Sequence, residues 1–126
     1  ESPWTVTPEI SNITKPSFAK DFSLVEKNKV LVASAEQSFL YLYNKGFLPK
    51  GQFQTVTPCF RDEPFTPLHT KYFIKNELIK TDVISEEALM KLIHICQEFF
   101  QLWVEDTVQV VQIGSSFAYD IMYRGV

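Results

Sequence analysis

Apolar and polar residues alternate between two rhythms along this chain, and the switches between them mark its elements. Trp4-Thr5-Val6, bordered by Pro3 and Pro8, reads as a short strand. The Ser-, Thr- and Asn-rich stretch from Glu9 to Lys20, with Pro16 inside it, reads as a connecting loop. Asp21 to Glu26 alternates weakly, and Lys29 to Ala33 is an apolar run of high β-propensity. Ser34 then stands where a helix N-cap is expected, with Glu36 and Gln37 in the first turn. Phe39, Leu40, Leu42 and Tyr43 recur at helical spacing until Gly46, a C-cap residue. After a turn from Phe47 to Gly51, the segments Gln52–Arg61 and Tyr72–Lys80 read as an antiparallel pair joined by a loop bearing Pro64 and Pro67.

The clearest helical signal comes next. Ser85 is its cap, and Glu86 and Glu87 suit the positive end of the helix dipole. Leu89, Leu92, Ile93, Cys96, Phe99, Phe100 and Trp103 fall on one stripe. A sheet needs an apolar layer laid across it, so this stripe is expected to be core. Thr107–Ile113 and Tyr119–Tyr123 read as closing strands around a turn from Gly114 to Ala118. Without a repeat, low-complexity segment or evident boundary, residues 1–126 are expected to form a single α+β domain, an antiparallel β-sheet with helices packed on one face.

Composition agrees with a folded domain. Hydrophobic residues are 45% and charged residues 21% of the chain, ordinary for a globular protein, and 126 residues suffice for one core. A net charge of −3 argues against a nucleic-acid footprint built on phosphate neutralisation. No apolar run reaches the ~20 residues of a membrane span and no signal peptide is evident, so no membrane partner is expected. Glu1 in place of Met suits a chain trimmed or excised from a longer one. Two cysteines, Cys59 and Cys96, are expected as buried thiols, which points to a reducing, cytoplasmic setting. With only two dispersed histidines they lack zinc-ligand spacing.

Candidate chemistry concentrates in Thr57-Pro58-Cys59-Phe60-Arg61-Asp62-Glu63 and the downstream His69, Phe73 and Glu77. A guanidinium can pair with phosphate or carboxylate through its planar fork. Phe73 offers a flat face to a purine, and Glu63 an acceptor to its amino group. Each has a plainer reading. Arg61 and Glu63, two apart on a strand, face the same way and can pair with each other. Phe73 is one of 11 phenylalanines to bury, and His69 sits in a polar loop where solvation suffices. Glu36 suits a helix first turn, and Glu77 can pair with Lys75.

The order of these residues resembles motif 2 of the class II aminoacyl-tRNA synthetases: an Arg-x-Glu strand, a variable loop, and a Phe that opens the return strand. Tyr72-Phe73-Ile74-Lys75-Asn76-Glu77-Leu78-Ile79 looks closest to the seryl-type members. Thr5-Val6-Thr7-Pro8 is similar to the end of motif 1, and Ser34-Ala35-Glu36 to the Thr-x-Glu loop that receives the substrate amino group. The likeness runs from Trp4 to about Ile79; the long motif 1 helix and motif 3 have no counterpart.

The resemblance implies a reduced synthetase-like module. In it Arg61 would contact the α-phosphate of ATP and the substrate carboxylate as the catalytic residue. Glu63, His69 and Phe73 would hold ATP, with Lys71 an alternative source of the loop charge. Glu36 and Glu77 would hold the ammonium of an amino acid or analogue. ATP and Mg²⁺ are the implied cofactors, and a homodimer and a tRNA are implied partners, although charge does not support the tRNA. Gly114 to Ile121 is reminiscent of the seryl-type strand before motif 3, but Met122 stands near where a metal-binding Glu is usual, and a thioether is a poor ligand for a hard cation. The alternative is a non-catalytic paralogue or remnant acting in ligand binding, regulation or protein interaction. Other chemistries lack their signatures: four glycines provide no phosphate-cradling loop, and His94 has no nucleophile near it in sequence.

Overall fold

The computed structural model describes residues 2–24, 28–64, 66–67, 69–114 and 117–125. Among them the fold is α+β, with antiparallel strand pairing and three helices, and the chain divides into two compact units, Glu1–Asp82 and Val83–Val126. Val25, Glu26, Phe65, Leu68, Ser115 and Ser116, which fall in segments assigned above, lie outside the described residues.

In the first unit β1 (Thr5–Val6), β2 (Ser23–Leu24) and β3 (Lys29–Leu31) form a small sheet with β3 at its centre. Helix α1 (Pro8–Thr14) follows β1, in the stretch expected to be a loop. The signal was local: Thr7 is the N-cap, Pro8 begins the helix where a missing N–H costs nothing, and Glu9 occupies the first turn. Thr7 also hydrogen-bonds the Glu9 carboxylate, holding its pKa low. Burial of Ile10 beside Val6, Val30 and Val32 completes the reason this polar stretch is helical. Helix α2 (Ala35–Asn44) has Ser34 at its N-cap position, without a side-chain capping bond, and its C-terminal end obeys the sequence signal. Gly46 has φ +71°, and the N–H groups of Gly46 and Phe47 donate to the carbonyls of Tyr43 and Leu42, a Schellman ending that needs a left-handed residue.

β4 (Gln52–Phe60) and β5 (Tyr72–Lys80) pair along their full length, with Thr55 opposite Glu77, Thr57 opposite Lys75 and Cys59 opposite Phe73. Side chains alternate between faces, so these six residues share one face and Val56, Ile74 and Leu78 the other. Val56, Tyr72, Ile74 and Leu78 are all exposed. The expected single sheet is thus several small ones. β3 ends at Leu31, and among the described residues one backbone bond, Phe60 N–H to Val32 O at 2.9 Å, links its continuation to β4.

The two helices of this unit are joined through a buried polar chain. Gln37, 1% exposed, accepts from Ala33 N at 2.8 Å and donates from Nε2 to Ser11 O and Oγ at 3.2 and 3.1 Å. Ser11 Oγ donates to Asp21, whose other oxygen pairs with Lys15 Nζ at 2.6 Å. The amide orientation is fixed, since Ala33 N can only donate and Ser11 O can only accept.

In the second unit α3 (Glu86–Gln101) is capped by Ser85 Oγ, which accepts from Ala88 N at 3.1 Å. It lies with the hairpin of β6 (Gln109–Gln112) and β7 (Tyr119–Met122). Gln97 and Gln101 clamp the buried Val108: Gln97 donates to its carbonyl at 2.7 Å and Gln101 accepts from its N–H at 2.9 Å. The apolar stripe does not form the expected core. No residue of α3 is buried; Phe99 is 54% and Trp103 74% exposed, and their rings contact each other instead. Cys96 is accordingly half-buried, while Cys59 is buried as expected.

The packing of the first unit can be checked at two positions. Gln37→Leu leaves Ala33 N without its acceptor, while Ser11 O keeps the bond from Lys15 N, and is expected to cost ~1–3 kcal/mol in urea unfolding. Thr57 Oγ1 is fully buried and has no hydrogen-bond partner among the described residues. Thr57→Val keeps its shape and is therefore expected to leave the urea midpoint unchanged or raise it; a lower midpoint would show that the hydroxyl is solvated in place.

Candidate functional site

Arg61 leaves the end of β4 on the face shared by Cys59 and Phe73, and two contacts hold it there. Its Nε donates to Ala33 O at 3.4 Å, and its guanidinium lies 5.1 Å from the centre of the Phe73 ring. The same Ala33 peptide is flanked by a second bond, its N–H donating to Gln37. One residue therefore has both backbone groups engaged, one by the buried chain and one by the arginine. The Arg61–Glu63 ion pair of the plainer reading is not formed, and among the described residues no carboxylate lies within 4 Å of Arg61.

Two cavities meet at this arginine. The larger, about 850 Å³, is lined by Arg61, Glu63 and His69 together with the 18–20 segment. The smaller, about 350 Å³, is lined by Arg61, Glu63, Glu36 and Lys75 and by the same segment. Both sizes fall in the range of small-molecule sites. His69 closes a tight turn with Thr66: their backbones exchange hydrogen bonds at 3.1 and 3.2 Å, and Nδ1 lies 2.9 Å from Thr66 Oγ1. The residue is exposed at the rim of the larger cavity. Lys71, the alternative loop cation, is occupied by Asp62 at 2.9 Å, and this bond holds the Asp62 carboxyl below its usual range.

Not every expected residue converges on these spaces. Phe73 lines neither cavity; its ring is a platform beneath Arg61. Glu77 also lines neither. One of its oxygens pairs with Lys75 at 2.6 Å, the plainer reading made above, and the other accepts from Glu36 N at 3.0 Å. Glu77 thus caps α2 from across the sheet, a task Ser34 leaves undone because its side chain makes no capping bond. Crowding at that helix end raises the Glu36 carboxyl above its ordinary pKa, through desolvation first and repulsion by Glu77 second, with Lys75 opposing. Burial, then Glu77, likewise raises the Cys59 thiol, which leaves it protonated and a poor nucleophile.

Sequence reasoning missed Phe18 and Lys20, assigned only to a loop. Both line both cavities. The available signal was Lys15 and Asp21, an opposite-charge pair bracketing the segment, but their contact depends on the fold. Among the described residues, no helix is long and apolar enough to cross a membrane.

Neither any protein-family model nor any curated protein matches this chain.

The raised Glu36 carboxyl has a measurable consequence. Its folded pKa exceeds its unfolded value, so the folded state holds the proton more tightly and stability falls as pH rises through that interval. Glu36→Gln is expected to be more stable than the parent at pH 7. It should lose that advantage at pH 3, where the carboxyl is protonated in both the folded and the unfolded chain. Thermal unfolding at the two pH values checks this; an equal difference at both would remove the electrostatic cause.

Proposed function

We propose that this chain is a reduced class II synthetase-like module that binds ATP and a small amino-acid-like carboxylate, with adenylate formation as its chemistry. The observation that carries the reading is the position of Arg61: one guanidinium, free of acidic partners among the described residues, opens onto both a cavity of nucleotide size and one of amino-acid size. A cation at such a junction can hold the α-phosphate and the attacking carboxylate at once.

In the proposed step a carboxylate oxygen bonds to the α-phosphorus, the bond from that phosphorus to the α–β bridging oxygen breaks, and the electron pair leaves with pyrophosphate. Catalysis consists of positioning and charge neutralisation. Arg61 supplies both, its direction fixed by Ala33 O and its underside by Phe73. His69 at the rim suits the terminal phosphates. Glu36 lines the smaller cavity, where an ammonium would relieve its repulsion with Glu77. Mg²⁺ would enter on the phosphates of ATP and neutralise the leaving charge. Glu63, which lines both cavities and has no ion-pair partner among the described residues, is the carboxylate that would reach it.

A second reading, a ligand-binding or regulatory module without the transfer step, is favoured by one observation. Both oxygens of Glu77 are already engaged, which leaves the ammonium to Glu36 alone.

Pyrophosphate exchange with each amino acid in turn separates the readings. Exchange above background is expected for the enzyme; silence together with a thermal shift by ATP would favour the binding module. Silence in both would overturn nucleotide recognition itself. Arg61→Ala removes a charge-assisted contact and is expected to weaken ATP by roughly 1.5–3 kcal/mol in calorimetry. Unchanged affinity would remove Arg61 from the site.

A further inference from the structure

Between Lys15 and Asp21 the chain makes an arch. The two side chains that bracket it are ion-paired at 2.6 Å, which closes the loop at its base, and Ala19 N donates to Pro16 O at 3.0 Å within it. The base is no isolated surface contact: Asp21 also accepts from the buried Ser11, and so belongs to the chain that runs through Gln37 and Ala33 to Arg61. The arch and the arginine are thus held by one network, although they lie far apart in sequence.

Phe18 and Lys20 stand on this arch. Phe18 is 84% exposed, yet it lines both cavities. Lys20 lines both as well. No carboxylate lies within 4 Å of it among the described residues, and it acts on Asp62 only through space. An aromatic ring left in solvent on a closed loop, beside two cations without close acidic partners, suits a ligand with a flat face and negative charge. Phe73, the expected stacking residue, lies under Arg61 and lines neither space. We propose that the 16–20 arch is the outer wall of the nucleotide site, with Phe18 stacking on the base and Lys20 joining Arg61 on the phosphates. This rests on the nucleotide reading above and assigns the base to a different aromatic residue.

Calorimetric titration with ATP and with inorganic tripolyphosphate, which has the charge but no base, tests it on the full chain. Phe18→Ala is expected to weaken ATP about tenfold and leave tripolyphosphate unchanged. Lys20→Gln is expected to weaken both by a similar factor, with a shallower dependence on salt; unchanged affinities would take Lys20 off the phosphates. Phe18→Trp is expected to retain ATP affinity and to show indole quenching on ATP addition. Because Phe18 is exposed, its replacement leaves the fold intact, and a circular dichroism melt checks this. Full ATP affinity in Phe18→Ala, or equal loss for both ligands, would overturn the arch as the base-binding wall. If Arg61→Ala still lost ATP in that case, the nucleotide reading would stand. A parent protein that bound neither ligand would overturn both.

Discussion

One buried amide carries the arrangement of the first unit. Gln37 takes the N–H of Ala33 and gives its own protons to Ser11, and the carbonyl of Ala33 receives Arg61. In an interior where an unpaired polar group costs free energy, such a chain has few alternative arrangements that satisfy all its members. It fixes α1 against α2, and through Asp21 and Lys15 it also fixes the arch. Lys15, Ala33 and Gln37 of this chain line the smaller cavity.

Glu77 shows how the same residues serve structure and site together. Its carboxylate finishes a helix that its own N-cap leaves unfinished, and it holds Lys75 at the edge of the smaller cavity. That double use adds to the desolvation that raises the Glu36 carboxyl, because two acids then share one helix end. Phe73 is placed in a similar way: its ring supports the cation beside both cavities.

Much of this was legible in the chain. Alternation placed β4 and β5 to within a residue and put Phe73, Lys75 and Glu77 on one face. Ser85 and Gly46 marked helix ends that the backbone adopts. Helix α1 was missed because Ser, Thr and Asn weigh against helix by propensity, whereas Thr7, Pro8 and the burial of Ile10 decided in its favour. The stripe of α3 is expected to be core because a sheet needs an apolar layer, yet periodicity reports which residues share a face without reporting what covers it. Phe18 and Lys20 were invisible as cavity-lining residues for a different reason. Their place depends on an ion pair between residues six apart and on a glutamine further along, contacts that no local pattern encodes.

The anchoring of Arg61 by a carbonyl and a ring, rather than by an acid, has a consequence for how the site can be modulated. A guanidinium is an always-charged group in proteins, and the two supports here, a backbone carbonyl and a phenyl ring, are not ionisable. Acidity therefore has no direct grip on this cation. Dissolved ions do, by shortening the distance over which its field reaches an anion.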